Sequence, residues 1–315
     1  MPNEQTRQLT LGLGAMTIVL FSILLAVSLY VPIVNLITSF LIAVPIAWYS
    51  AKFNRKASIL VTIVSIGISY FIGGLLAVPF AMIHALLGLV IGDAIRMKKS
   101  KLFMLLSTAI VLLVSVVIQY VVVVLTFNFN PVKALLTIAS NQYDQMGAFL
   151  ERFDALPNNY DKTIAEVLFM FETVMPSILI ISLFLLVIVF INILLPVLKR
   201  LGLDVPKFPA YRNLKFPKSV LWYYMVVLVV TLFVELEKGT FAFMVFANAA
   251  LLLRLLLVLQ GISFIHFYIH QQRWPKWIAF VATILAFPLQ SITLLLGIFD
   301  LGFNVRSYVK EKNRK

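Results

Sequence analysis

Charged residues are missing from long tracts of this chain. None occurs between Arg7 and Lys52, from Ala57 to Gly92, from Leu102 to Val132, from Thr173 to Leu198 or from Trp277 to Phe299. A charge-free apolar run of about 18 residues or more is long enough to cross the ~30 Å hydrocarbon core as a helix. A water-soluble helix keeps one face polar, and these runs keep none. Barrel strands would alternate with period two, which these runs do not. The pattern predicts an all-α, polytopic helical membrane protein.

The first tract is too long for one crossing and carries Pro32 near its middle, so it reads as spans at 9–31 and 33–51. The second reads as spans at 57–75 and 76–95, broken near Gly73, Gly74 and Pro79. A fifth span follows at 102–127 and a sixth at 173–198. Beyond these lie three more apolar segments, at 220–234, 240–264 and 277–299, for eight to nine membrane segments in all.

Between spans five and six the character changes. Residues 128–172 carry six acids, among them Asp144, Glu151 and Asp154, and form an acidic outer connector. Within it Leu135, Ile138, Met146, Phe149, Leu150 and Phe153 recur at helical spacing, which predicts an amphipathic helix at the membrane interface. Thr163 and Glu166 have capping-box spacing for the helix that leads into span six. A second connector, 199–218, is basic, and Pro206, Pro209 and Pro217 rule out a helix through it. The expected organisation is a six-span unit (1–198), a basic linker (199–218), a C-terminal apolar group (219–305) and a basic tail (306–315).

Composition narrows the function. Residues are 62% hydrophobic and 12% charged, and there is no cysteine, so disulfides and thiolate chemistry are excluded. The net charge of +13 sits in short clusters between the apolar runs, as the positive-inside bias produces. No nucleic-acid partner is therefore expected. Counting Lys and Arg puts 52–56, 96–101 and 199–218 on the cytoplasmic side, with the N-terminus. Three further crossings would then put the basic tail outside, which its charge disfavours unless a late segment is re-entrant.

An ionisable group at membrane depth costs a few kcal/mol on insertion scales, so each calls for an explanation. Arg254 stands among Leu251–Leu257, roughly 21 Å into its segment at about 1.5 Å per residue. It either binds an anionic substrate, pairs with Glu235, Glu237 or above all Asp300, or snorkels to an interface. His84, Asn35, Gln119 and Asn192 fall within spans and are candidates to line a substrate pocket. Hydrogen bonding between helices is the plainer role for such residues. Gly12 with Ala15 and Met16, and Gly67 with Phe71 and Gly74, have spacing that would let helices approach closely. There is no phosphate-binding loop, zinc-protease or nucleophile-elbow motif and no His or acid cluster with metal-ligand spacing. No catalytic residue, metal or cofactor is expected, and the chain does not read as an enzyme.

Leu11-Gly12-Leu13-Gly14-Ala15, Leu29-Tyr30-Val31-Pro32 and Ala43-Val44-Pro45 open the chain. The closing run is Leu296-Gly297-Ile298-Phe299-Asp300-Leu301-Gly302-Phe303-Asn304-Val305-Arg306. Together these resemble the YybS-like family, bacterial integral membrane proteins of undetermined function, over nearly the whole chain. The first six spans also loosely resemble the substrate-binding S components of energy-coupling-factor vitamin transporters, with three extra apolar segments here.

That second resemblance implies a small-molecule transport or substrate-capture subunit of the bacterial cell membrane, with residues 131–172 as a lid over an outward-facing site. The alternative is a non-transporting scaffold or regulator that recruits a membrane protein partner through 199–218. The lipid bilayer is a partner in either case.

Overall fold

The computed structural model describes residues 4–303 and 305–312, and every regular element among them is helical. In chain order these are α1 (Glu4–Tyr30), α2 (Pro32–Leu41), α3 (Ala43–Lys52), α4 (Arg55–Arg96), α5 (Lys101–Phe127), α6 (Pro131–Glu151) and α7 (Tyr160–Arg200). A 3₁₀ turn at Tyr211–Asn213 precedes α8 (Ser219–Phe233), α9 (Phe241–Gln271), α10 (Lys276–Ala286), α11 (Gln290–Phe303) and α12 (Val305–Lys312). Six helical stretches are long and apolar enough to cross a membrane. α10 and α11 pass the same test only together, and they are bent by 112° at residues 287–289. Large apolar side chains face outward, with Phe71 85% and Leu76 89% exposed. Such a surface is stable against lipid tails, not water.

α4 is two limbs joined at a break, not one straight helix. Gly73 and Gly74 leave helical geometry, and Gly74 takes φ 66°, ψ −159°, a region almost reserved for glycine. The ends show the result. Arg55 Nε lies 3.7 Å from Asp93 Oδ2, whereas a straight helix would hold the two residues roughly 57 Å apart at about 1.5 Å per residue. The limbs 55–72 and 75–96 therefore run antiparallel, as the sequence reading of two spans requires. Gly74→Ala should cost about 1–3 kcal/mol of stability through backbone strain, read as a fall in melting temperature of the detergent-solubilised chain. Gly67→Ala, in open space within a limb, is the control.

Two compact units emerge, and they do not follow the boundary expected at 198/199. One comprises residues 1–131 and 180–208, the other 132–179 and 209–315. In the first, Phe21 and Leu25 of α1 pack on Ile42, Ile46, Ala81 and Ala85. The second limb of α4 lies against α3 so closely that a Cβ on Gly88 would strike Ala43 O, and one on Gly92 would strike Ala47 O. Close approach thus occurs at Gly88 and Gly92 rather than at Gly12 and Gly67, which both face open space. Leu203 and Val205 pack on the core of this unit, so the first half of the basic linker belongs to it.

In the second unit α6 forms as expected and leaves Leu135, Ile138, Met146 and Phe149 exposed, with Phe153 exposed in the turn after it. Gly147 makes room for the Tyr160 ring, whose hydroxyl donates to Tyr143 O at 2.7 Å. α7 starts at Tyr160, so Thr163 lies inside the helix and does not cap it. α9 and α11 cross at paired glycines: a Cβ on Gly261 would meet Thr293 O, and one on Gly297 would meet Leu257 O. Because α10 and α11 are bent so sharply, 277–299 is not one straight crossing.

Candidate functional site

The prolines of the 209–218 segment deny it a helix, so its backbone groups must find partners elsewhere. α9 and the C-terminal helices supply them. Ser263 Oγ lies 2.9 Å from Tyr211 O and 2.7 Å from Leu214 O, which share its one hydrogen. Gln260 Oε1 accepts from Phe216 N–H at 2.9 Å, and its amide donates to Asp300 Oδ2. Arg306 Nε donates to both oxygens of Asp300, at 3.1 and 2.9 Å. Its other nitrogens reach Arg212 O at 2.7 Å and Leu214 O at 3.1 Å, and the guanidinium lies over the Phe267 ring.

Asp300 is completely buried. A carboxylate there is tolerable only when paired and fully hydrogen-bonded, and Arg306 with Gln260 does both. The expected partner of Asp300 was Arg254; the observed one is Arg306. Arg306 is also no part of a solvated tail, for it holds the connector, α9 and α11 together. Residues 313–315 of that tail, like Asn304 before it, lie outside the described residues.

Beside this network is a cleft of roughly 400 Å³ between the 210–212 segment, the end of α9 and α10. Tyr211, Arg212, His266, Trp274, Lys276 and Thr283 carry its chemistry. Thr283 Oγ1 donates to Ala279 O at 2.9 Å, which uses its one hydrogen. His266 Nε2, 2.7 Å from the same oxygen, must therefore be the protonated nitrogen. Tyr211 meets the His266 ring edge-on, and its hydroxyl donates to Leu259 O at 2.9 Å. Partial burial pushes this phenol up to about 12, so it stays protonated well beyond neutral pH. The cleft wall carries no acidic side chain.

The sequence candidates do not converge here. Arg254 is exposed on α9 and enters no ion pair among the described residues. Its neighbours Leu253 and Leu257 belong to the apolar cluster that holds Val220 of α8, while Arg254 itself stays on the exposed face of α9. An exposed Arg can snorkel along its helix at little cost. Arg254→Leu is accordingly expected to change stability by no more than about 0.5 kcal/mol, checked by thermal melting.

The other four candidates lie in the first unit, each tied to neighbours there. His84 is buried between the Phe80 and Phe190 rings with Nδ1 2.8 Å from Phe80 O, a packing residue. Asn35 accepts from Ser28 Oγ at 2.7 Å across the α1–α2 turn. Gln119 donates to Ser115 on its own helix. Asn192 accepts from Lys101 Nζ at 3.0 Å. A groove between α6 and α7, near Thr137, Ser140 and Glu172, has a similar volume and is more open. The cleft residues were missed, although His266 and His270 stand four apart, on one face of α9.

A family model described as a predicted membrane protein (DUF2232) matches residues 19–301, a range that contains Asp300, Gln260 and all of the cleft. The chain belongs to this family. It is 28% identical over 320 residues to the uncharacterized protein YybS of Bacillus subtilis (strain 168), covering 98% of this chain and 100% of that one. The family's function is undetermined. No solved structure matches the chain, and the likeness to energy-coupling-factor S components finds no support.

Proposed function

We propose that this integral membrane protein is a small-molecule transport or substrate-capture subunit of the bacterial cell membrane, and that it receives its ligand in the cleft beside Tyr211 and Trp274. The cleft is the observation that carries the reading. Its volume lies in the range of small-molecule sites, and aromatic walls with a few converging polar groups are what such sites use. No acid stands there to work with His266, so the reading is one of binding and not catalysis.

Orientation follows from the basic connector, which the Lys and Arg distribution puts in the cytoplasm. Arg306 bonds to that connector, so α12 starts on the same side. With α10 and α11 re-entrant, both chain ends are cytoplasmic and the charge conflict of the basic tail disappears. The ligand then enters from the cytoplasmic side, not beneath an outer lid. A scaffold recruiting partners through 199–218 is less favoured, because the backbone from Tyr211 to Phe216 is already engaged by α9 and Arg306.

A thermal-shift screen of the purified chain against a metabolite library tests the proposal. At least one compound should raise the melting temperature, and less so in Trp274→Ala. A screen without any shift, together with a protein partner that survives detergent extraction, would decide for the scaffold.

A further inference from the structure

We infer that the ligand of this cleft is a small anion carrying a flat ring, of the aryl or heteroaryl phosphate or carboxylate class. This rests on the capture reading and deepens it.

Charge comes first. Arg212 and Lys276 line the cleft, and neither takes part in any ion pair among the described residues. The wall has no carboxylate to answer them. The nearest acid in the bonded network, Asp300, is fully buried, and both its oxygens are taken by Arg306. Arg306 therefore neutralises Asp300 inside the unit, and the two lining cations keep no carboxylate partner among the described residues. Two basic residues along one cavity favour an anion, and a guanidinium fits a planar carboxylate or phosphate face in bidentate fashion.

Shape comes second. Tyr211, Trp274 and Phe280 give the cleft three aromatic walls. Two are braced: Tyr211 stands edge-on to His266 at 5.4 Å, and Trp274 edge-on to Tyr268 at 6.0 Å. Braced rings lose little freedom when a ligand ring stacks on them. A volume of roughly 400 Å³ is near the lower end of the range for small-molecule sites, so it takes a single ring system with its anionic group and excludes a folded peptide. His266 adds direction. Its Nε2–H donates to Thr283, so in the neutral ring Nδ1 carries no proton and can only accept.

The test uses the full chain in phosphatidylcholine nanodiscs and titrates phenyl phosphate, benzyl alcohol and inorganic phosphate by calorimetry. Phenyl phosphate should bind at least tenfold more tightly than either of the others. Arg212→Gln, which keeps the backbone carbonyl that Arg306 uses, and Lys276→Gln should each weaken it about tenfold, with unchanged melting temperatures. Trp274→Ala should weaken phenyl phosphate and leave inorganic phosphate unaffected.

Equal binding of benzyl alcohol, indifferent to both charge variants, would overturn the anion class and leave the capture reading standing. If no probe binds and no metabolite shifts the melting temperature, both fall. Nanodiscs of phosphatidylglycerol distinguish the source of the anion. If that lipid alone displaces phenyl phosphate, the site belongs to a lipid headgroup and the ring requirement is wrong.

Discussion

Arg306→Leu is expected to destabilise the chain by about 3–5 kcal/mol, the usual penalty for stripping one partner from a buried ion pair. Asp300 would be left fully buried with only the Gln260 amide against it. Arg212 O would lose its donor and Leu214 O one of its two, so the connector would be held to α9 through Ser263, Gln260 and the Tyr211 hydroxyl. The reciprocal variant Asp300→Leu should cost a similar amount, because it strands a guanidinium. The double variant Asp300→Leu, Arg306→Met should be milder than either single change, since no charge is then left uncompensated. Thermal melting of the three purified variants checks this. Additive losses would show that the two residues do not act as a pair.

Gly261→Val should be comparably damaging, by a different mechanism. The new Cβ would collide with the backbone carbonyl of Thr293, which no side-chain rotation can clear. α9 and α11 would have to part, and the packing of Val258, Ile262, Ala286 and Leu294 would part with them. Overpacking typically costs about 1–3 kcal/mol, and a backbone obstruction belongs at or above the top of that range. Gly297→Val meets Leu257 O in the same way and should behave alike. Gly12→Val, with open space around it, should melt almost as the unmodified chain does. Similar melting of all three variants would mean that α9 and α11 do not pack through these glycines.

The bilayer made much of the fold legible. A span must satisfy its own backbone bonds and expose apolar side chains, so charge-free runs and their breaks at Pro32 and Gly73–Gly74 were visible in one sequence. The partner of Asp300 was not. It depends on α11 turning back by 112° after α10, and nothing in the run from Trp277 to Phe299 announces that beyond Pro288. Arg254 misled because a charge among leucines was read as needing a buried partner, whereas it lies on the exposed face of α9. Arg306 was hidden by its neighbours: in a basic tail one arginine looks like the next, and only the fold singles out the one that faces a buried carboxylate.

The cleft was harder still. Its walls come from a proline-rich connector and from two helices more than 50 residues further on, and no local spacing joins Arg212 to Lys276. The linear boundary at 198/199 failed for a related reason. It followed composition, while Leu203 and Val205 are apolar enough to return to the first unit's core.

Native mass spectrometry of the full chain, released from lipid nanodiscs without prior detergent extraction, tests capture at the cleft most directly. The unmodified protein should carry a non-lipid small molecule of constant mass, and Trp274→Ala with Lys276→Gln should lose it while still folding. A bare unmodified chain, or the same adduct at equal occupancy on the double variant, would contradict capture at this site.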